Sequence, residues 1–329
     1  MVTDHDPDER PWSRAVEPFA RTFDELDRFL DTLLKGERLA GFETLGGGRA
    51  NTNLLLRRPH GDDMVLRIYQ RDPTQREKEV AVISRLWGKV PVPEIIVHGE
   101  DSGVLHVPYV LMYRVEGDRI EQRFSALDRS ERLALGLELG RILAAVHAHR
   151  FDQSGFFNDA LEVATPLSGG SAGLLDVVDM LLEQPDVTDR LGTARCSTLR
   201  GHVAAHAGAL DAWPDSASLA HGDFGFSNIL IAGAGEGLKV TAVLDWEFAM
   251  AATPLLDFGN LIRPPGGDDP DFMTGLEQGY REVDPTLPED WTDLARTMDL
   301  LAWIDFAGRP DAPEDLLEHA RMMIDRITT

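Results

Sequence analysis

One stretch limits what this chain can fold into more than any other: Leu219 to Glu247, which reads LAHGDFGFSNILI, a glycine-rich connection, then VTAVLDWE. Ile229-Leu230-Ile231 and Val240-Thr241-Ala242-Val243-Leu244 are short apolar runs that favour strands. Between them, Ala232-Gly233-Ala234-Gly235-Glu236-Gly237 holds too much glycine to be anything but a connection. The two strands are therefore expected to pair as a hairpin. That pairing brings the residues before the first strand beside those after the second. His221, Asp223 and Asn228 stand on one side of the meeting, Asp245 and Glu247 on the other. Hard oxygen donors gathered at one end of a rigid ribbon suit Mg²⁺ bound together with a substrate's phosphates.

The order of these groups carries further information. An Asp, an Asn five residues on and a second Asp beyond a hairpin match the catalytic loop and metal loop of kinases. There the first Asp orients the attacking hydroxyl and accepts its proton, while the Asn and the second Asp hold Mg²⁺. Here the strings are HGDFGFSN and DWE rather than HRDLxxxN and DFG, and no APE-type segment follows Asp245. Those departures point away from protein kinases. The strings resemble the aminoglycoside phosphotransferase family and its relatives, the choline, homoserine and fructosamine-type small-molecule kinases and the macrolide phosphotransferases. The HGDFG wording is most similar to the hygromycin-type branch. The resemblance spans roughly residues 40–262.

It implies an α+β, protein-kinase-like fold with a small β-rich N-lobe and a larger, mainly helical C-lobe. The expected divisions are an N-terminal helical extension over 1–37, the N-lobe over 38–113 and the C-lobe over 114–329. In the extension, Phe23, Leu26, Phe29-Leu30 and Leu33-Leu34 have helical spacing, and Gly36 is a stop. In the N-lobe, strands are expected at Phe42–Leu45, Asn53–Arg57, Met64–Tyr69, Ile95–Val97, Val104–Val107 and Tyr109–Met112, with a helix from Gln75 to Trp87. The glycine loop between the first two strands is either a phosphate cradle of backbone N–H groups or a plain hairpin turn. On the resemblance, Gly47, Gly48, Asn51 and Thr52 would meet the nucleotide. Arg67 stands where the kinase scheme has Lys, with Glu79 as its acidic partner and Glu77 as the alternative. Met112, Tyr113 and Val115 fall in the hinge, where the Tyr113 C=O and the Val115 N–H would bind the base.

The C-lobe reads as helices at 130–149, 172–184, 196–213, 272–282, 289–307 and 313–327, with Ser130 as the first cap and a loop over 151–170. On the resemblance, Asp257 braces the catalytic loop and His221 supports it by hydrogen bonding rather than acting as the base. Glu247 is either an outer metal group or a ligand for a substrate amine, and Asp223 also faces the substrate. His202 and His206 stand four apart, but without a third ligand they make no metal site.

Composition excludes some partners. The chain carries 56 acidic and 32 basic residues, a net charge of −24, which argues against nucleic acid or an anionic membrane surface. Either the acidity is general surface charge, or it draws a cationic acceptor such as an aminosugar. Cys196 is the only cysteine and the opening MVTDHDPDERPW is acidic and polar, so the expected location is cytoplasmic. The sequence sets no oligomeric state. Taken together, the reading is a Mg²⁺-dependent phosphotransferase that moves the γ-phosphate of ATP or GTP to a hydroxyl of a small molecule. The alternatives are a metabolic kinase of the choline, homoserine or aminosugar type, or a nucleotide-binding module without catalysis, for which Arg67 in the lysine position is the motive.

Overall fold

The structure, a computed structural model, describes residues 19, 21–46, 51–70, 72–212 and 217–329. Gly47 and Gly48, assigned above to phosphate binding, lie outside the described residues. The chain forms two compact units. One comprises the described residues of Met1–Trp87 with Pro93–Val115; the other comprises Gly88–Val92 with Glu116–Thr329.

The first unit opens with α1 (Phe23–Leu34). Thr22 caps it reciprocally with Glu25, the Thr22 hydroxyl accepting from the Glu25 N–H and the Glu25 carboxylate from the Thr22 N–H. Its apolar stripe, Leu26, Phe29 and Leu30, is fully buried against Leu54, Leu56, Leu66 and Leu111 of the sheet. The segment read as an extension is thus part of this unit's core. The sheet is antiparallel with order β1-β2-β3-β5-β4, built from β1 (Gly41–Thr44), β2 (Thr52–Arg57), β3 (Met64–Ile68), β4 (Ile95–Gly99) and β5 (Tyr109–Tyr113). α2 (Gln75–Leu86) lies between β3 and β4 in sequence and buries Val80, Val82, Ile83 and Leu86. Val104–Val107, expected as a strand, is a bend. The Ser102 hydroxyl accepts from the N–H groups of Val104 and Leu105, and the Asp101 carboxylate accepts from Gly103. These local side-chain acceptors compete with a ladder and win.

The second unit takes in Gly88–Val92 because the Val243 N–H donates to the Pro91 carbonyl at 2.8 Å. Its elements are β6 (Asp118–Arg119), α3 (Ile120–Arg123), α4 (Arg129–His147), β7 (Arg150–Phe151), β8 (Gly155–Phe157), β9 (Val163–Pro166), α5 (Gly170–Leu182), α6 (Pro185–Leu191), α7 (Thr193–His206), β10 (Ala217–Ala220), β11 (Ile229–Ala232), β12 (Lys239–Val243), β13 (Met250–Ala252), α8 (Leu255–Leu261), α9 (Pro270–Arg281), α10 (Trp291–Gly308) and α11 (Glu314–Thr328). α4 is capped by Asp128 rather than Ser130: the Asp128 carboxylate accepts from the Glu131 N–H at 2.9 Å, while the Ser130 hydroxyl donates to the same carboxylate. The stretch 151–170, expected as a loop, supplies β8 and β9 to a five-stranded sheet of order β7-β10-β13-β8-β9. The expected hairpin is present: β11 and β12 pair antiparallel with Ile229 opposite Val243, and β6 completes a three-stranded sheet. Among the described residues no helix is long and apolar enough to cross a membrane.

Candidate active site

The loop between β10 and β11 is fixed from below by one buried carboxylate. Asp257 is fully buried on α8. Its Oδ2 accepts from the His221 N–H at 2.8 Å and its Oδ1 from the Gly222 N–H at 2.9 Å. The third contact is with His147 Nε2 at 3.1 Å, and His147 Nδ1 lies 3.2 Å from the Tyr280 hydroxyl. Burial pushes the Tyr280 phenol well above its ordinary range, so it keeps its proton as a hydrogen-bond donor. Asn260, one turn along α8, adds a bond from its Nδ2 to the Gly222 carbonyl at 3.3 Å. Gly222 itself has φ +82°, and a Cβ there would stand 2.6 Å from the Phe248 carbonyl oxygen. The loop therefore turns sharply and touches the segment after β12, which only glycine permits.

His221 is fully buried, and both its ring nitrogens are in use. The Asp223 N–H donates to Nδ1 at 3.1 Å, so Nε2 carries the proton it gives to the Leu244 carbonyl at 2.8 Å. An imidazole so occupied ties the two loops together and has no lone pair left for a substrate proton. Its ring packs on buried Trp246 at 4.4 Å between centroids.

The structure brings Asp223 and Asn228 together. Asn228 Nδ2 donates to both the Asp223 carbonyl and the Asp223 Oδ2, each at 2.9 Å. The amide thus uses its nitrogen on Asp223 and keeps its Oδ1 as an oxygen donor. The Leu244 N–H donates to the Asn228 carbonyl at 2.8 Å, which sets Asp245 next to this pair at the end of the hairpin. Asp245 has φ +68° and ψ +60°, a left-handed conformation that a non-glycine residue adopts at a cost of about 1–2 kcal/mol. Asp223, Asn228, Asp245 and Glu247 are all half-buried, with Glu247 on the single turn Trp246–Phe248. No cluster of three or more His, Cys, Asp or Glu forms a metal-type group among the described residues. An Asn and an Asp do fit Mg²⁺, which takes one or two protein oxygens and fills the other positions with phosphate and water.

Within the first unit, Arg67 on β3 meets Glu79 on α2, Nε to Oε2 at 3.2 Å, and both side chains are buried. The Tyr69 hydroxyl donates to the same Glu79 carboxylate. Glu77 instead turns to Arg76 at 2.6 Å. Asn51 Oδ1 accepts from the Gln70 N–H at 3.3 Å, and the Thr52 hydroxyl accepts from the Phe19 N–H at 2.9 Å and donates to Gln70. The Thr52 side chain is thus committed to the unit's interior. Met112 is buried with Tyr69, Val80 and Val110, while Tyr113 and Val115 are half-buried at the end of β5 and just beyond it.

Sequence reasoning missed Arg263 and Asp299. α8 carries Asp257 at the loop and leads, six residues on, to Arg263. The Arg263 guanidinium grips Asp299 of α10, Nη2 to Oδ1 at 2.6 Å, with Nε at 3.0 and 3.1 Å from the two oxygens, and lies 4.7 Å from the Trp303 ring centroid. Burial pulls its pKa down, but the Asp299 carboxylate outweighs that and raises it, with Asp223 near enough to add to the effect. A charged residue inside the apolar stripe of α10 was the available signal for Asp299. Both residues line a cavity of about 400 Å³ on the second unit.

A unit built on a five-stranded antiparallel sheet, followed by a mainly helical unit whose hairpin joins an Asp–Asn loop to a second Asp, defines an α+β protein of the kinase-like class. The phosphotransferase enzyme family, APH, matches residues 41–296, and the chain belongs to that family. A comparison with curated proteins gives no match. Among solved structures, the GDP complex of wild-type aminoglycoside 2'-phosphotransferase-IIIa superposes with a TM-score of 0.72 at 17% identity, over 94% of this chain and 99% of that one. A thermostable mutant of aminoglycoside phosphotransferase APH(4)-Ia, in ternary complex with AMP-PNP and hygromycin B, gives 0.66 at 20% identity, over 92% and 97%. A putative aminoglycoside phosphotransferase from Ralstonia eutropha JMP134 gives 0.67 at 18% identity, over 93% and 97%.

Proposed function

We propose that this protein transfers the γ-phosphoryl group of ATP or GTP to a hydroxyl of a small molecule, with Asp223 as the base. The observation that carries the reading is the Asn228 amide holding Asp223 Oδ2 at 2.9 Å, at the end of the hairpin that also sets Asp245. Asp223 Oδ2 is held by that bond, so its Oδ1 is the oxygen that meets the acceptor hydroxyl and takes its proton as the acceptor O–P bond forms and the bond from the γ-phosphorus to its bridging oxygen breaks, releasing ADP or GDP. The His221 and Asp257 contacts fix the loop so that the carboxylate needs no rearrangement at the moment of transfer. Asn228 Oδ1 and Asp245 are the oxygens that would hold Mg²⁺. The ion, when bound, neutralises charge on the phosphates. In the first unit, Arg67 held by Glu79 is the cation for the nucleotide phosphates, and guanidinium binds phosphate as a planar fork. The Tyr113 carbonyl and the Val115 N–H are assigned to the base. Support for a nucleotide donor comes from the GDP and AMP-PNP complexes of the similar structures. Aminoglycosides and other sugar-containing hydroxyl compounds are the acceptor classes this reading leaves open.

Replacing Asp223 by Asn tests the assignment. Turnover is expected to fall by about 10²–10⁴-fold, while the thermal shift produced by Mg-ATP or Mg-GTP persists. Full activity in that variant removes Asp223 from the base role. The second reading, a nucleotide-binding module without catalysis, draws on Arg67 in the place of lysine. A nucleotide-induced thermal shift without transfer to any acceptor in a broad hydroxyl panel would favour it.

A further inference from the structure

The wall of the cavity beside α8 is balanced in charge. Three carboxylates line it, and an arginine of the same wall answers each one. Asp299 holds Arg263 at 2.6 Å, Asp293 holds Arg296 at 3.6 Å one turn along α10, and Asp268 is paired with Arg326 of α11. The acidic run that continues from Asp268 is neutralised in the same way. Asp269 meets Arg132 at 2.8 Å and also caps α9 by accepting from the Phe272 N–H, while Asp271 meets Arg129 at 2.8 Å. The remaining titratable groups on the wall are His202 and His206, stacked at 4.1 Å. Burial and the neighbouring ring keep His202 below its ordinary value, so it is neutral near pH 7. A chain with 24 excess negative charges thus turns an essentially neutral wall toward this space.

That wall discriminates between acceptor classes. A polyamine would enter beside three fixed guanidiniums and find no carboxylate without a cation already on it. At Asp299 that would mean displacing Arg263 from a bidentate grip on a buried carboxylate, where the pair is stronger than at an open surface, and at the more exposed Asp293 and Asp268 it would mean competing with an arginine already in single contact. A neutral molecule rich in hydroxyls meets what is present. Guanidinium N–H donors and carboxylate acceptors stand side by side, and a hydroxyl both donates and accepts. We propose that the acceptor bound in this cavity is an uncharged, hydroxyl-rich small molecule rather than a polyamine. The inference rests on the phosphotransferase reading. The cavity is assigned to the acceptor side because α8 holds the Asp223 loop through Asp257 and lines the cavity through Gly259, while Arg263, two residues past the end of α8, lines it too and stands near enough to Asp223 to feel its charge.

The test compares phosphate transfer from Mg-ATP and Mg-GTP to neutral sugars, polyols and nucleosides with transfer to kanamycin and hygromycin B. KM for the best neutral acceptor is expected to be at least about tenfold below that for either aminoglycoside, and to change little with added salt, as an uncharged ligand requires. In Arg326→Gln, which unmasks Asp268, the preference for kanamycin over the neutral acceptor is expected to rise by about tenfold, because a cation at short range has been removed. Transfer to aminoglycosides in preference to every neutral acceptor, or a fall in kanamycin preference in Arg326→Gln, overturns the inference and leaves the kinase reading standing. Transfer to no acceptor of either class overturns both.

Discussion

A single carboxylate carries more of this site than its distance from the chemistry suggests. Asp257 accepts from two consecutive backbone N–H groups and contacts His147; Asp257, His221 and His147 are buried and Gly222 is half-buried. In Asp257→Asn, the amide NH₂ must face either an N–H donor of the loop or the histidine, leaving at least one buried donor without an acceptor. The expected loss is about 3 kcal/mol of unfolding free energy, read from urea denaturation. kcat per folded molecule should also fall, because His221 and Asp223 shift with the loop; an unchanged kcat would limit Asp257 to stability alone. Spacing made Asp223, Asn228 and Asp245 legible in the sequence, since their order along a hairpin is itself the signature. Asp257 was legible only through resemblance. His147 and Arg263 were not legible, and Asp299 only as a charge inside an apolar stripe, because their partners lie far away in sequence: His147 reaches Asp257 across 110 positions and Arg263 reaches Asp299 across 36. Nothing local encodes such pairings.

At the scale of elements, the long periodic segments were readable and the short ones were not. The hairpin, α2, α9, α10 and α11 fall within a few residues of their expected places because each repeats an apolar pattern over several turns or alternations. β7, β8 and β9 are two to four residues long; β7 and β8 join the sheet only through the distant β10 and β13, and β9 pairs with the equally short β8. The contact between α4 and α9 was also hidden. It is a close approach at Gly136, Gly140, Gly275 and Gly279, where an added Cβ would fall within 2.3 Å of the other helix's backbone. Gly140→Ala would set its methyl 2.3 Å from the Leu276 carbonyl oxygen, and backbone cannot swing aside as a side chain can. Overpacking of this kind is expected to cost about 1–3 kcal/mol. Gly201→Ala on α7 is the control: nothing lies within 4 Å of its Cβ, so better helix propensity should stabilise by up to about 1 kcal/mol. Urea unfolding of the two variants measures both signs, and equal effects would show that the α4–α9 contact yields easily.

For the whole molecule the question is which electrostatic effect dominates, since the chain has many arginine–carboxylate pairs and a net charge of −24. The two respond to salt in opposite ways, and distance decides between them. The pairs meet at contact, as Arg195–Asp325 does at 2.6 Å and Arg200–Asp179 at 2.7 Å, well inside the Debye length of about 10 Å at 0.1 M salt. Each such exposed pair contributes little, and added salt removes only part of that contribution. The excess carboxylates repel one another across separations comparable to or beyond the Debye length, so their repulsion is what added salt removes first. Tm is therefore expected to rise as KCl is raised from about 0.02 M to about 0.5 M, measured by scanning calorimetry at pH 7.5. A falling Tm would mean that the ion pairs outweigh the net charge. The same titration separates surface from site. The net charge of −24 belongs to the chain as a whole, whereas the cavity wall beside α8 is balanced by its own arginines, so stability should respond to salt far more than acceptor KM does.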